Sequence, residues 1–462
     1  MAYATINPYT GQTLRSFPDA TDAEVSQALD QAQTAFESWR YVAIPARSAV
    51  LKKAADVLRS RSTEFAKILT LEMGKVLTEA EAEVELSAQI LEYYAENAEA
   101  LLAPEKLPSK HPSYTKCWVE HEAQGILLAI EPWNFPYYQI VRIAAPQLAA
   151  GNVIVLKHAS NVPQSAAAFQ ALFKEAGLPE GGFTSLYANR SQTKAIIEDS
   201  RVQGVALTGS EAAGAVVASQ AGNALKKSTM ELGGADAFVV LADADIEKAA
   251  KWAVIGRHWN AGQVCCSSKR IIVVAEVYDA FLEMYKAGVA KLRAGDPLDP
   301  STSLAPLSSQ AAVDDLKAQV ANAVSHGAIV EIIGAAVPET GAFFQPILLS
   351  MEEDNPAYSL EFFGPVSQVI RAKNETDAVR IANDSPFGLG GSVFTKDLKH
   401  GVEVARKIST GMVYINHPTG VAADLPFGGV RRSGYGRELV GLGIKEFVNH
   451  KLIAITDIDG AF

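Results

Sequence analysis

The sequence predicts an α/β protein made of two blocks, each a parallel sheet covered by helices on both faces. Three observations carry this reading. The N-terminal stretch up to Ala103 repeats apolar residues at helical spacing. From Gly125 onward, short apolar runs alternate with helical stretches, and after Gly233 the same order begins again. Strands that are apolar throughout, rather than at alternate positions, belong in parallel sheets buried on both sides.

Taken in order, Ala23–Trp39, Arg47–Met73 and Leu77–Ala103 read as helices rich in Ala, Leu and Glu. The stretch SYTKCWVEHEAQG is polar and partly alternating around Tyr114, Cys117 and Val119, which predicts a hairpin strand standing apart from the main sheet. The first block has strands GILLAI (125–130), NVIVLK (152–157), FTSLY (183–187) and GVALTG (204–209), with helices over 137–150, 163–176, 192–199 and 211–221. In the second block AFVVL, RIIVV, VSQVIRA, GGSVFT and GMVYIN are the strands, and helices fall near 245–258, 276–293, 308–325, 374–383 and 397–407. The C-terminal KLIAITDI reads as one more strand, and no internal repeat or long linker interrupts the chain.

The totals fit this organisation. The 462 residues are roughly three times a typical domain, so at least two packed units are expected. A net charge of −11 argues against nucleic acid or an anionic membrane as a bulk partner. The N-terminus has neither a basic segment nor an apolar core, so no secretory signal is expected. The apolar stretch from Gly125 to Lys157 is broken by Glu131, Asn134, Arg142 and Asn152, which excludes a membrane span there. Three cysteines form no disulfide framework, and a reducing cytoplasm is the expected location. Adjacent Cα atoms lie about 3.8 Å apart, short of the roughly 4.4–6.8 Å of ordinary disulfides, so Cys265 and Cys266 are expected as free thiols.

Ligands of open α/β sheets sit beyond the carboxyl ends of strands, where this chain places AIEPWNFPYY, LKHAS and LTGSEAAG. Gly209 and Ser210 open a strand–turn–helix at which unpaired N–H groups could meet a phosphate; a turn glycine followed by a packing glycine is the structural alternative. Lys157 and Ser160 follow a buried strand, where a lysine can serve ribose hydroxyls or a phosphate, or simply end the strand in solvent. Glu231, near apolar residues and before two glycines, is a candidate general base or a structural ion-pair partner. For Cys265 the choices are a buried inert thiol or an activated nucleophile. No histidine lies in a thiol-hydrolase motif, and no His/Cys spacing suggests zinc, so no metal is expected.

Taken together, PWNFP (132–136), KHAS, TGS (208–210), ELGG (231–234), GQVC (262–265), EFFGPV (361–366) and PFGG…SGYGREL (426–439) resemble, in order and spacing, the aldehyde dehydrogenase superfamily over nearly the whole chain. Among subfamilies they look most like the succinate-semialdehyde dehydrogenases. The resemblance implies an aldehyde dehydrogenase-like fold with two doubly wound α/β domains and a protruding β arm. The dinucleotide-binding domain would span 1–105 and 124–233, the catalytic domain 234–445, and the oligomerisation arm 106–123 and 446–462. It also implies Cys265 as nucleophile, Glu231 as general base and Asn134 as oxyanion donor. Trp133, Lys157, Ser160, Gly209, Ser210, Glu361 and Phe363 would bind the cofactor.

Further expectations rest on that resemblance. Ser160 stands where many NAD-using relatives carry Glu, which removes a charge that would repel a 2′-phosphate. Lys157, with His158 nearby, can meet that phosphate, so NADP is the expected preference and NAD remains possible. Arg142 resembles the arginine that holds the carboxylate of succinic semialdehyde, while the subfamily's helping serine is replaced near Val421. The implied reaction is oxidation of an aldehyde, succinic semialdehyde first and another short or aromatic aldehyde second, through a thiohemiacetal and thioester on Cys265. Cys266 is expected to have no catalytic duty. The partner would be a small-molecule aldehyde, and the chain a homodimer or homotetramer. A catalytically silent nucleotide-binding scaffold is the alternative from another class.

Overall fold

The computed structural model describes residues 3–460. A six-stranded sheet runs in the order Gly434–Tyr435, Lys227–Glu231, Val202–Thr208, Ile126–Glu131, Val153–His158, Phe183–Ser185. Its neighbours are parallel apart from the Gly434–Tyr435 edge. The apolar runs form its centre for the reason the sequence suggests. Ile126, Leu127, Leu128, Val153, Ile154 and Val155 are wholly buried, and each such side chain contributes about 1.5–3 kcal/mol over an exposed one.

The helix Pro136–Ala150 is buried along its entire length, which explains why its sequence has no polar face. It packs against Leu77–Leu101 and Ile44–Ser60, and ends at Gly151 in the left-handed conformation (φ 99°). Such full confinement fixes the loop before it, from Pro132 to Phe135, and the side chains it projects, Arg142 among them.

A seven-stranded sheet follows the order Ile329–Ile332, Ile347–Ser350, Val366–Ala372, Arg270–Val274, Ala237–Val240, Gly391–Phe394, Tyr414–Ile415, parallel except for the first pair. A separate antiparallel sheet pairs Val448–Thr456 with Tyr114–Ala123 and the latter with Glu105–Leu107. It leaves Leu452, Ile455, Tyr114 and Leu107 exposed. Residues 1–2 of the expected first domain and 461–462 of the expected arm lie outside the described residues.

Several details differ from the sequence reading. Arg47–Met73 is two helices, Ile44–Ser60 and Ser62–Met73, parted at Arg61 (φ −117°, ψ 25°). An N-terminal hairpin, Tyr3–Ile6 with Thr13–Phe17, was not expected. Nor were the strands Lys227–Glu231, Ile329–Ile332 and Ile347–Ser350. Among the described residues no helix is long and apolar enough to cross a membrane, and no cluster of three or more His, Cys, Asp or Glu side chains could hold a metal.

Candidate active site

The loop that presents Cys265 is held by strain and by clamps. After the helix Ile246–His258 the chain turns through Asn260 (φ 50°), Ala261 (φ 54°) and Gly262 (φ 79°). Non-glycine residues in this region cost on the order of 1 kcal/mol or more each, so the surroundings must enforce the turn. Asn260 Nδ2 donates to the carbonyls of Asn134 (3.0 Å) and Gln263 (3.3 Å), and Gln263 Oε1 accepts from Ser308 N (2.9 Å). The buried Arg257 donates to Ser267 Oγ (2.8 Å) and to the carbonyls of Phe362 (2.9 Å) and Val366 (2.8 Å), tying this loop to the EFFGPV segment. Two glycines permit the close approach: a Cβ on Gly262 would lie 2.5 Å from Gly364 O, and one on Gly234 would lie 2.6 Å from Cys265 O.

Cys265 is partly exposed, Cys266 is buried, and both are free thiols. The Cys265 thiol is held below its ordinary value, first by the hydrogen bond from Cys266, then by the positive charges of Lys269 and Arg142, against the opposing effect of burial. Cys266 is pushed the other way, by that same hydrogen bond and by burial. Asn134, 4% exposed, donates from Nδ2 to Gln263 O (3.0 Å), and its Oδ1 accepts from Gln139 Nε2 (2.8 Å). That network fixes which face of the amide carries its donors.

Behind this loop lies a buried carboxylate cluster. Glu231 ends its strand with neither oxygen hydrogen-bonded, and burial raises its pKa to about 7 against the pull of Arg142 and Arg437. Burial raises Glu131 to about 8. Arg142 is paired with Glu438, donates to Thr208 Oγ1 (2.9 Å) and Tyr138 Oη (3.3 Å), and lies between the rings of Tyr138 and Phe427. Its side chain is 1% exposed, so the expected contact with a substrate carboxylate finds no open face of the guanidinium.

A pocket of about 240 Å³ gathers Trp133, Asn134, Gly209, Ser210, Cys265, Glu361 and Phe363. It lies past the carboxyl ends of Ile126–Glu131, Val202–Thr208 and Lys227–Glu231, as expected for an α/β sheet. Trp133 and Phe363 meet edge to face, 5.7 Å between ring centres. Glu361 Oε1 accepts from Gly234 N (3.1 Å) and pairs with Lys269 (3.0 Å). A cleft of about 880 Å³, with Trp133 on its wall too, holds Lys157, Ser160 and Arg190.

These residues fit a dinucleotide phosphate. Lys157 is partly buried with no ion pair or hydrogen bond among the described residues, and burial together with the charge of Arg190 lowers its pKa. Two cations converging without a counter-ion, with only Asp315 as an acid on the cleft wall, suit a polyanion. A Cβ at Gly209 would meet only Leu207, at 3.5 Å, so packing leaves space above this glycine on the pocket wall. Ser210 Oγ caps the helix Glu211–Asn223 by accepting from Ala213 N (3.3 Å). His158 does not take part: its ring nitrogens face the carbonyls of Glu131 and Pro136 (both 3.1 Å), it is 1% exposed, and burial lowers its pKa to about 4.

Sequence reasoning missed Lys269, Arg190 and Glu438. Lys269 sits directly before a buried strand, a position unusual for a charge, and that was the one local hint. Glu438 has its partner, Arg142, far away in sequence, Arg190 meets Lys157 only through the fold, and neither gave a hint.

The chain is similar to known proteins over nearly its whole length. The aldehyde dehydrogenase family profile matches residues 1–453. A succinate-semialdehyde dehydrogenase [NADP(+)] of Deinococcus radiodurans is 46% identical over 452 residues, 98% of this chain and 94% of that one. Succinate-semialdehyde dehydrogenase [NADP(+)] 1 of Mycobacterium tuberculosis is 42% identical over 456 residues, 98% of this chain and 100% of that one. The crystal structure of succinic semialdehyde dehydrogenase from Streptococcus pyogenes in complex with NADP+ superposes with a TM-score of 0.96 at 43% identity, covering 99% of this chain and 100% of that one. The chain belongs to the aldehyde dehydrogenase family.

Proposed function

We propose that this chain oxidises an aldehyde to its carboxylic acid with NADP as the preferred hydride acceptor, and that Cys265 carries the acyl group. The observation that supports it is one pocket holding Cys265, Asn134, Glu361 and Phe363, next to a cleft with two unpaired cations. The Cys265 thiolate adds to the aldehyde carbon, and the carbonyl oxygen becomes an oxyanion. The free N–H of the Asn134 amide and the Cys265 N–H donate to that oxygen; removing one such donor commonly costs about 10²–10³ in rate. NADP, when bound, supplies the nicotinamide that accepts the hydride as the oxyanion collapses to a thioester. Glu231 then takes a proton from water, the hydroxide adds to the thioester carbon, and the Cys265 thiolate leaves as the acid forms.

Lys157, Ser160 and Arg190 would take the adenosine end and its 2′-phosphate, Gly209 and Ser210 the pyrophosphate, Glu361 the nicotinamide-side ribose, and Trp133 and Phe363 the ring. Residues 1–105 and 124–233 would form the dinucleotide-binding domain and 234–445 the catalytic domain. The arm of 106–123 and 446–462, with its exposed Leu452 and Ile455, would dock a second copy.

The substrate reading rests on the relatives named for succinic semialdehyde. A second reading, an uncharged short or aromatic aldehyde, is favoured by two observations. Arg142 is closed by Glu438, and Trp259, Val421 and Ala423 pack with Cys265 against an apolar core. The experiment is a panel of succinic semialdehyde, butanal and benzaldehyde against NADP and NAD, followed by absorbance of the reduced cofactor. NADP-dependent turnover that disappears in Cys265→Ala is the expected result. Failure of every aldehyde with both cofactors would overturn the reading.

A further inference from the structure

We propose that Lys269 is a positioning residue whose single buried ammonium fixes the nucleophile loop and the carboxylate of Glu361 to each other as one unit. The inference rests on the function proposed above. The Lys269 side chain is 3% exposed. Its Nζ donates to Val264 O (2.6 Å) and Cys265 O (2.7 Å) and pairs with Glu361 Oε1 (3.0 Å). An ammonium has three donors and no acceptor; two go to the carbonyls flanking the nucleophile, and its charge pairs with one carboxylate on the far side of the pocket.

Two consequences follow from that connection. The first concerns the loop. Cys265 O is also the atom that a Cβ on Gly234 would strike, so the carbonyl sits in a slot with Lys269 on one side and the Gly234 backbone on the other. With its carbonyl pinned there, the Cys265 backbone has little freedom to turn the thiol away from the pocket. The second concerns Glu361. Oε1 is taken by Lys269 and Gly234 N, while no donor among the described residues reaches Oε2, which lies against Gly233 where a Cβ would come within 2.3 Å. The carboxylate is thereby oriented with one oxygen committed to the protein and the other left for ligand hydroxyls.

The same ammonium acts on the thiol through its charge. The groups facing Cys265 are the Cys266 thiol, Lys269 and Arg142, which favour the thiolate, Glu361, which opposes it, and the phenol of Tyr138, whose own ionisation the Cys265 charge opposes. Lys269 itself faces Glu361, Cys265 and the buried Asp236. Removal of Lys269 and removal of the Glu361 charge should therefore move the thiol in opposite directions while harming cofactor binding alike. A lysine that merely filled space would not produce that pattern.

The test uses the cofactor-free full chain and the pH dependence of iodoacetamide alkylation of Cys265. Lys269→Met should raise the alkylation midpoint and slow alkylation at neutral pH by about three- to tenfold, while Glu361→Gln should lower the midpoint. In turnover assays both variants should raise KM for NADP more than they lower kcat. If Lys269→Met fails to fold, Lys269→Gln keeps two N–H donors for the carbonyls and removes only the charge, with the same expected midpoint shift. A midpoint unmoved in the folded Lys269 variant, or moved the same way in both, overturns the proposal. Alkylation needs no substrate, so a wild-type chain that turns over no aldehyde would show instead that the proposed function has failed.

Discussion

Arg142 and Glu438 close on each other behind the nucleophile loop, and Thr208 and Tyr138 each accept one hydrogen bond from the terminal nitrogens of the guanidinium. The charges of Glu231 and Glu131 act on the same guanidinium, which makes Arg142 the counter-ion of a buried acidic cluster. Breaking a buried pair by removing one partner typically costs about 3–5 kcal/mol, because the other charge stays behind. Arg142→Ala should therefore lower thermal stability and reduce kcat for succinic semialdehyde and butanal by similar factors. A selective rise in KM for succinic semialdehyde alone would return Arg142 to the role of substrate anchor.

Glu231 must be ionised to take a proton from water, and burial holds its pKa at about 7. Below that pH the protonated form dominates, so deacylation should slow about tenfold per unit as pH falls and level off above it. Glu231→Gln should leave a stoichiometric burst of reduced cofactor followed by turnover slower by about 10²–10⁴. Steady-state turnover at the wild-type rate in that variant would remove Glu231 from the water-activating step.

The parts of the fold that were legible are those whose burial is written locally. Ile126–Glu131 and Val153–His158 are apolar on both faces, so their place in a parallel sheet could be read directly. Lys227–Glu231 reads KSTME, and its strand form comes from pairing with Val202–Thr208 and Gly434–Tyr435, which no local pattern announces. The hairpin strand Thr13–Phe17 is exposed at every residue but the last and carries no alternation to read. The break at Arg61 was invisible because apolar spacing continues across it. In the site, Cys265 and Asn134 stand in compact motifs. Arg190 and Glu438 owe their surroundings to chain segments brought in from elsewhere, and burial of Arg142 depended on Glu438.

Lys157 and Arg190 share the cleft with Ser160, and neither cation has an ion-pair partner among the described residues. A hydrogen bond to a charged group is worth about 1.5–3 kcal/mol, or roughly one to two powers of ten in affinity. Arg190→Ala should lower kcat/KM with NADP by about tenfold or more and leave NAD nearly unchanged. Ser160→Glu should penalise NADP further, since a carboxylate would then meet the 2′-phosphate. Equal losses with both cofactors in Arg190→Ala would show that Arg190 does not read the phosphate.

Glu131 gives a stability prediction whose sign follows from its surroundings. Burial raises its pKa from 4.5 to about 8, with the Arg142 charge pulling the other way. The folded chain therefore binds this proton more tightly than the unfolded chain. Its contribution is fully present below about pH 4.5 and is lost as pH rises through about 8. Glu231, Glu72 and Glu79, each raised to about 7 by burial, act in the same direction. The melting temperature should thus fall as pH is raised from about 6 to about 9. Glu131→Gln keeps the shape and abolishes the ionisation, so its melting temperature should fall less over that window and exceed the wild type's at the alkaline end. Parallel curves for the two proteins would mean that Glu131 is already ionised in the folded state, with Arg142 compensating its charge more fully than burial penalises it.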